Sequence, residues 1–246
     1  MKTEALKSKK YIPYIMLLFI VGFQGSITAQ VASNVYYFEE DNNGKTRKHE
    51  LKINNNYVVH TVYEKSPAKF IKTQGGFVEI HGKRLKVLLE FNSNYEQDSL
   101  RKLSIPFEME HKNLILNWET KMIFKPEKNQ SQDLDGQWLF ATRGPDEGQE
   151  RRGEENPRKT LKFLMNGRFQ WIAYNTESLK FFGTGGGSFI AKDGIYTENI
   201  EFFSRDDSRV GASLQFDYEV KENDWHHTGK NSKGEPMYEI WAKRGL

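Results

Sequence analysis

Few residues of this chain combine reactive chemistry with useful spacing. Histidines 226 and 227 are adjacent, so on a strand they point to opposite faces and cannot both ligate one metal ion. With Glu222, Asp224 and the Asp206-Asp207 turn nearby, they read as solvated strand-end residues. The run Gly183-Thr-Gly-Gly-Gly-Ser188 has the composition of a phosphate loop. Such a loop needs a helix N-terminus and usually a lysine behind it, whereas strand formers follow here, so these glycines better serve a bulge or a sharp barrel corner. No serine stands in a Gly-x-Ser-x-Gly elbow and no carboxylate pair is placed by spacing alone. The chain therefore reads as non-catalytic, with no cofactor and no metal expected.

The elements that must position any site are short strands. The 246 residues are 37% hydrophobic and 13% aromatic, enough to build cores for one large or two small domains. Lysine and arginine number 36 against 33 acidic residues, a balance that creates no strong field for nucleic acid. Cysteine is absent, which excludes disulfides, thiolate metal sites and a lipid-bearing N-terminal cysteine.

At the N-terminus, Lys2, Lys7, Lys9 and Lys10 precede the apolar run Tyr11 to Phe23, and polar and small residues lead on to Ala29. This is the layout of a secretory signal peptide over residues 1–29, with an apolar stretch too short to cross a bilayer as a helix. Export to the periplasm or beyond is expected, with no stable membrane span once the signal is removed.

The exported part is one unit written twice. Gly187 lies 111 positions after Gly76, and the same offset superposes Glu90-Phe91 on Glu201-Phe202, Ser93 on Ser204, Leu103 on Leu214, Thr73 on Thr184 and Tyr63 on Tyr174. The copies occupy 32–125 and 134–246, and the polar, unpatterned stretch 126–133 links them. In the second copy, runs rich in aromatic and β-branched residues predict strands at 136–142, 160–166, 168–175, 184–191, 194–204, 212–220, 223–229 and 236–243. Asn166-Gly167 and Asp193-Gly194 mark hairpin turns. A meander of that length hides its edges best by closing, so the fold class expected is all-β: two tandem small antiparallel up-and-down barrels.

Comparison of the copies assigns faces. Tyr196, Glu198, Ile200 and Phe202 alternate along one strand, and their counterparts Leu85, Val87, Leu89 and Phe91 are all apolar, so this face is expected inside. The opposite face, with Glu90, Asn92, Glu201 and Phe203, is expected outside. Glu198 is the oddity, a carboxylate where the first copy has valine. Inside a barrel it requires a partner, water or a ligand.

At Gly136-Gln137-Trp138 and the closing segment Tyr238 to Arg244, the chain resembles the lipocalin and fatty-acid-binding (calycin-type) superfamily. The resemblance implies that Trp138 closes the barrel bottom, that Lys243 or Arg244 packs over it, and that the charged loop 143–159 is a lid over the open end. The likeness is closer to the lipocalin-like domains of uncharacterised bacterial "membrane or secreted" proteins. It rests there on the turn Gly185 to Phe189 and the strand Tyr196 to Phe202. It covers 134–244 better than 35–125, where Asn34-Val35-Tyr36 replaces Gly-x-Trp.

These features together predict a binding module for a small, partly apolar ligand in the second copy, lined by Trp171, Tyr174, Tyr196, Glu198 and Trp225. Two rival readings follow from the same residues. One has filled barrels and a protein partner met through loop 143–159; the other makes Glu198 a poised acid or base.

Overall fold

The computed structural model describes residues 31–231 and 233–245; the expected signal peptide lies outside the described residues. The first eight strands are β1 (Asn34–Asn42), β2 (Lys45–Asn54), β3 (Tyr57–Lys65), β4 (Ala68–His81), β5 (Arg84–Asn92), β6 (Lys102–Glu110), β7 (Asn113–Asn117) and β8 (Lys121–Pro126). The second eight are β9 (Gly136–Arg143), β10 (Arg158–Met165), β11 (Arg168–Asn175), β12 (Phe181–Lys192), β13 (Ile195–Phe203), β14 (Ser213–Lys221), β15 (Asp224–Lys230) and β16 (Pro236–Lys243). Each set pairs antiparallel in sequence order and closes on itself, β1 with β8 and β9 with β16. The chain is thus all-β, two tandem eight-stranded barrels. Every strand expected in the second copy is present, and β11 and β16 have the expected bounds. Among the described residues no helix is long and apolar enough to cross a membrane.

Local chemistry explains the meander. Asn166 and Gly167 have φ of 50° and 72°, and Asp193 and Gly194 have 54° and 80°, the left-handed pair that a two-residue hairpin turn needs. The glycines on β4 and β12 act through space rather than φ. A Cβ on Gly76 would stand 2.0 Å from the Leu88 carbonyl oxygen, and one on Gly187 would stand 1.9 Å from that of Asn199. Opposite each glycine the ladder skips a residue, pairing Gly75 with Phe91 and Gly76 with Leu89, and likewise Gly186 with Phe202 and Gly187 with Ile200. The expected bulge is there, in both copies.

The bulge corrects one expectation. An extra residue inverts the alternation beyond it. Leu85, Val87 and Leu89 fill the first barrel, but Phe91 points out of it and packs with Tyr57, Val59 and residues of the second barrel. In the second copy Phe202 likewise packs on Tyr63 of the first barrel, their rings tilted by 35°, while Phe203 turns inward against Trp171. Phe91 and Phe202 therefore leave the core face to which simple alternation assigned them, and Phe203 joins it.

At the second barrel's bottom, Trp138 is buried and donates its indole N–H to the Leu134 carbonyl at 2.9 Å. Lys243 lies over its ring, 6.0 Å from the centroid. Arg244 does something else: it crosses to the first barrel, where it donates to Glu90 at 2.9 Å and covers the ring of Tyr57. The first copy lacks Gly-x-Trp but not the function of its tryptophan. Tyr36 is buried and donates its hydroxyl to the Ala32 carbonyl, four residues back, at 2.8 Å.

The barrels meet through their outer faces in a two-fold relation. Tyr63 donates to Glu201 at 3.2 Å, and its counterpart Tyr174 donates to Glu90, the counterpart of Glu201, at 3.0 Å. Between them Gln170 binds Thr61, Thr73 and Thr184, which satisfies a buried amide. One side of this seam is charged: Glu50, fully buried, is paired with Lys52 and Arg168. On the other side the same repeat positions hold Leu161, Phe163 and Tyr57, all buried in an apolar cluster.

Candidate functional site in the second barrel

The two interiors differ. The second barrel holds a cavity of about 690 Å³, whereas the corresponding space in the first is about 30 Å³, room for roughly one water molecule. Six lining residues on β10, β11, β13, β14 and β15 match lining residues of the first barrel through the 111-residue offset, which shows what the difference consists of. Lys162, Glu198 and His227 in the second barrel stand where Leu51, Val87 and Leu116 stand in the first. Glu239 pairs across the ladder with His227 as Met122 pairs with Leu116. Four polar interior residues thus replace four apolar ones. Trp118 lines the small space in the first barrel, and its counterpart is Gly229, which has no side chain to fill the larger one.

Local alternation places each member. On β10, Lys162 and Leu164 turn inward between Leu161 and Phe163, which belong to the inter-barrel cluster. On β13, Tyr196, Glu198 and Ile200 precede the bulge and point inward. On β15, Trp225 and His227 are inward. His226 faces out and bonds the Tyr238 hydroxyl at 2.8 Å. The adjacent histidines do point to opposite faces, but His227 is 2% exposed and belongs to the cavity, not to a solvated strand end. The inward register of β15, shared with Trp225, puts it there.

Lys162 donates to Glu198 Oε1 at 3.0 Å, and the Tyr196 hydroxyl donates to the same oxygen at 2.8 Å. The lysine ammonium lies about 5 Å from three aromatic rings, at 5.1 Å from Tyr196, 4.8 Å from Trp225 and 5.0 Å from Trp241. Such contacts favour a cation once it is desolvated. Burial, reinforced by Lys162, pushes His227 down to about 4 despite Glu239 and Glu198, so the imidazole is neutral at ordinary pH. Burial alone would raise Glu239, but His227 and Lys162 outweigh it and hold this carboxyl below its usual range.

The mouth is formed by the β9–β10 loop, through Gln149, Glu150 and Arg152, by Arg209 of a short 3-10 turn, and by Lys230 and Asn231 beyond β15. The loop is fastened rather than free. Arg151 makes a two-pronged bond to Asp224 at 2.8 and 2.9 Å, and Arg152 sends its backbone N–H to the Ala141 carbonyl and its guanidinium over Phe140. That is the position a lid over the open end would take.

Of the residues expected to line a site, Trp171 and Glu198 do line the cavity. Tyr196 and Trp225 lie in the packed layer beside it, fully buried. Tyr174 is elsewhere: it shares an outward face of β11 with Gln170 and Ile172 and bonds Glu90 across the seam. Lys162, His227 and Glu239 were missed by sequence reasoning. Subtracting 111 exposes the first two in the way it exposed Glu198, since each replaces a leucine. Among the described residues no group of three or more histidine and carboxylate side chains is arranged to hold a metal ion. No known family model and no curated protein matches this chain.

Proposed function

We propose that the protein is an exported, lipocalin-like carrier in which the second barrel binds a small, partly apolar molecule without transforming it, while the first barrel serves as a scaffold. The observation that carries this reading is the contrast between two copies of one unit, a cavity of about 690 Å³ in one and about 30 Å³ in the other. A volume of several hundred Å³ is the size of small-molecule sites, and this one sets one apolar wall against a larger share of polar and charged groups. Trp171, Phe216, Leu214 and Met237 supply the apolar wall. Glu198 is already engaged by Lys162 and Tyr196, which suits a fixed recognition group better than a free acid or base.

The test is native mass spectrometry of the purified chain together with titration by an environment-sensitive naphthalene sulfonate dye. One bound molecule per chain is expected, with binding lost when Thr160, on the cavity wall, is replaced by tryptophan. A chain that carries nothing and binds no dye would overturn the reading.

A further inference from the structure

The cavity is electrically polarised. Its floor has two carboxylates, Glu198 and Glu239, against the single cation Lys162. Its mouth has Arg152, Arg209 and Lys230 against Glu150, and none of these three cations has a carboxylate within salt-bridge distance among the described residues. A ligand acid on the floor would meet net negative charge in a desolvated place, whereas at the mouth it would meet unpaired guanidinium groups that form strong, charge-assisted bonds.

The floor also has unmet hydrogen-bonding capacity. Both Glu198 contacts fall on Oε1, which leaves Oε2 without a donor among the described residues. Glu239 accepts the Trp241 indole N–H on Oε2 at 3.1 Å, leaving Oε1. His227 is buried with both ring nitrogens lacking a hydrogen-bond partner among the described residues, its Nδ1 being 3.6 Å from Glu239, beyond hydrogen-bond range. A buried imidazole without partners is costly, and a ligand hydroxyl or amide there relieves that cost while its N–H or O–H finds acceptors on the two carboxylates. A cationic donor would face Lys162 and would have to pass the basic mouth; a neutral hydroxyl or amide N–H faces neither penalty.

We infer that the second barrel selects an amphiphile in one orientation, with its acid group at the basic mouth, its apolar body along Trp171 and Phe216, and a neutral hydrogen-bond donor at the far end on Glu198, Glu239 and His227. This rests on the reading that the cavity binds a small molecule. The test is displacement of the naphthalene sulfonate dye by dodecanoate, 12-hydroxydodecanoate and the methyl ester of the latter. The hydroxy acid is expected to bind about tenfold or more tightly than either of the others, each lacking one end group. The double variant Arg152→Ala, Arg209→Ala should weaken the acid but not the ester, and Glu239→Gln should reduce the preference for the hydroxyl. Equal binding of dodecanoate and its hydroxy form would overturn the floor assignment, and equal binding of acid and ester would overturn the mouth assignment. Dye binding with no displacement by any of the three would overturn the ligand class and leave the binding reading standing; no dye binding and no retained compound would remove both.

Discussion

Phe70 and Phe181 occupy the same position of the repeat and stack on each other across the seam, their ring centroids 6.2 Å apart and their planes 10° from parallel. A residue that meets its own counterpart marks the axis of a two-fold arrangement, and the exchanged pairs Tyr63 with Glu201 and Tyr174 with Glu90 flank it. The seam is therefore built like the interface of a symmetric dimer whose halves are one chain.

The charged half of that seam gives a prediction in which the repeat supplies its own control. Burial raises Glu50, but Arg168 and Lys52 outweigh it and hold its carboxyl down to about 2, so the group is ionised and depends on both cations. Glu50→Ala leaves the buried Lys52 without its counter-charge and Arg168 with Glu201 alone, and is expected to cost roughly 3–5 kcal/mol in urea denaturation. Replacing the set by its counterparts, Glu50→Leu, Lys52→Phe and Arg168→Tyr, removes the three buried charges together; the partly exposed Glu201 loses Arg168 but can accept from the residue at 168 as Glu90 accepts from Tyr57 at 2.7 Å. That triple variant is expected to lie within about 2 kcal/mol of the parent. A triple variant as unstable as the single one would show the charges to be required for the seam itself.

The paired bulges predict intolerance at Gly76 and Gly187. A methyl group there meets a backbone carbonyl oxygen, which cannot swing away as a side chain could. Gly187→Ala should lose roughly 3 kcal/mol or more, measured by denaturation. Gly194→Ala, whose Cβ meets nothing closer than 3.8 Å, should lose only the smaller strain of its positive φ. Equal losses at the two sites would count against the bulge as the reason for the glycines.

The offset of 111, the strands and the turns were legible because they depend on local composition and on loops of matched length. The faces beyond the bulge were not. Simple alternation carries Phe91 and Phe202 inward, and the extra residue that sends them to the seam is marked only by glycines on the neighbouring strand. Tyr174 was a readable error. It stands three positions from Trp171 on one strand, so the two could not both face the interior, and aromatic content says nothing about face. The partners of Glu198 could be named only once closure brought β10, β13 and β15 around one interior.

Acid should act on the second barrel through His227. Its folded-state value, about 4, lies below the ordinary 6.5, so between those pH values the unfolded chain holds the extra proton and stability falls as pH is lowered. Above 6.5 both states are neutral there and the residue contributes no pH dependence. The loss attributable to it is of order 3 kcal/mol across that window. Burial lowers His60 in the first barrel in the same sense, so the reading is the difference between parent and variant. His227→Leu, the residue found at this position in the first copy, should flatten the stability profile between pH 6.5 and 4. An unchanged slope would place the acid sensitivity elsewhere.

The polar interior can be tested by writing one copy into the other. Glu198→Val alone strands Lys162, whose side chain is 7% exposed, without its counter-charge, and should cost roughly 3–5 kcal/mol. The quadruple variant Lys162→Leu, Glu198→Val, His227→Leu and Glu239→Met reproduces an interior that the same fold already packs around Leu51, Val87, Leu116 and Met122. It is expected to fold with little or no loss, because buried ion pairs seldom exceed well-packed apolar side chains in net stability. Its binding should change in kind. With the floor made apolar, affinity for an amphiphile should no longer depend on a donor at the buried end, while dependence on the acid at the mouth should persist. A quadruple variant that folds, keeps the cavity and still prefers the hydroxylated compound would mean that other side chains make the selection.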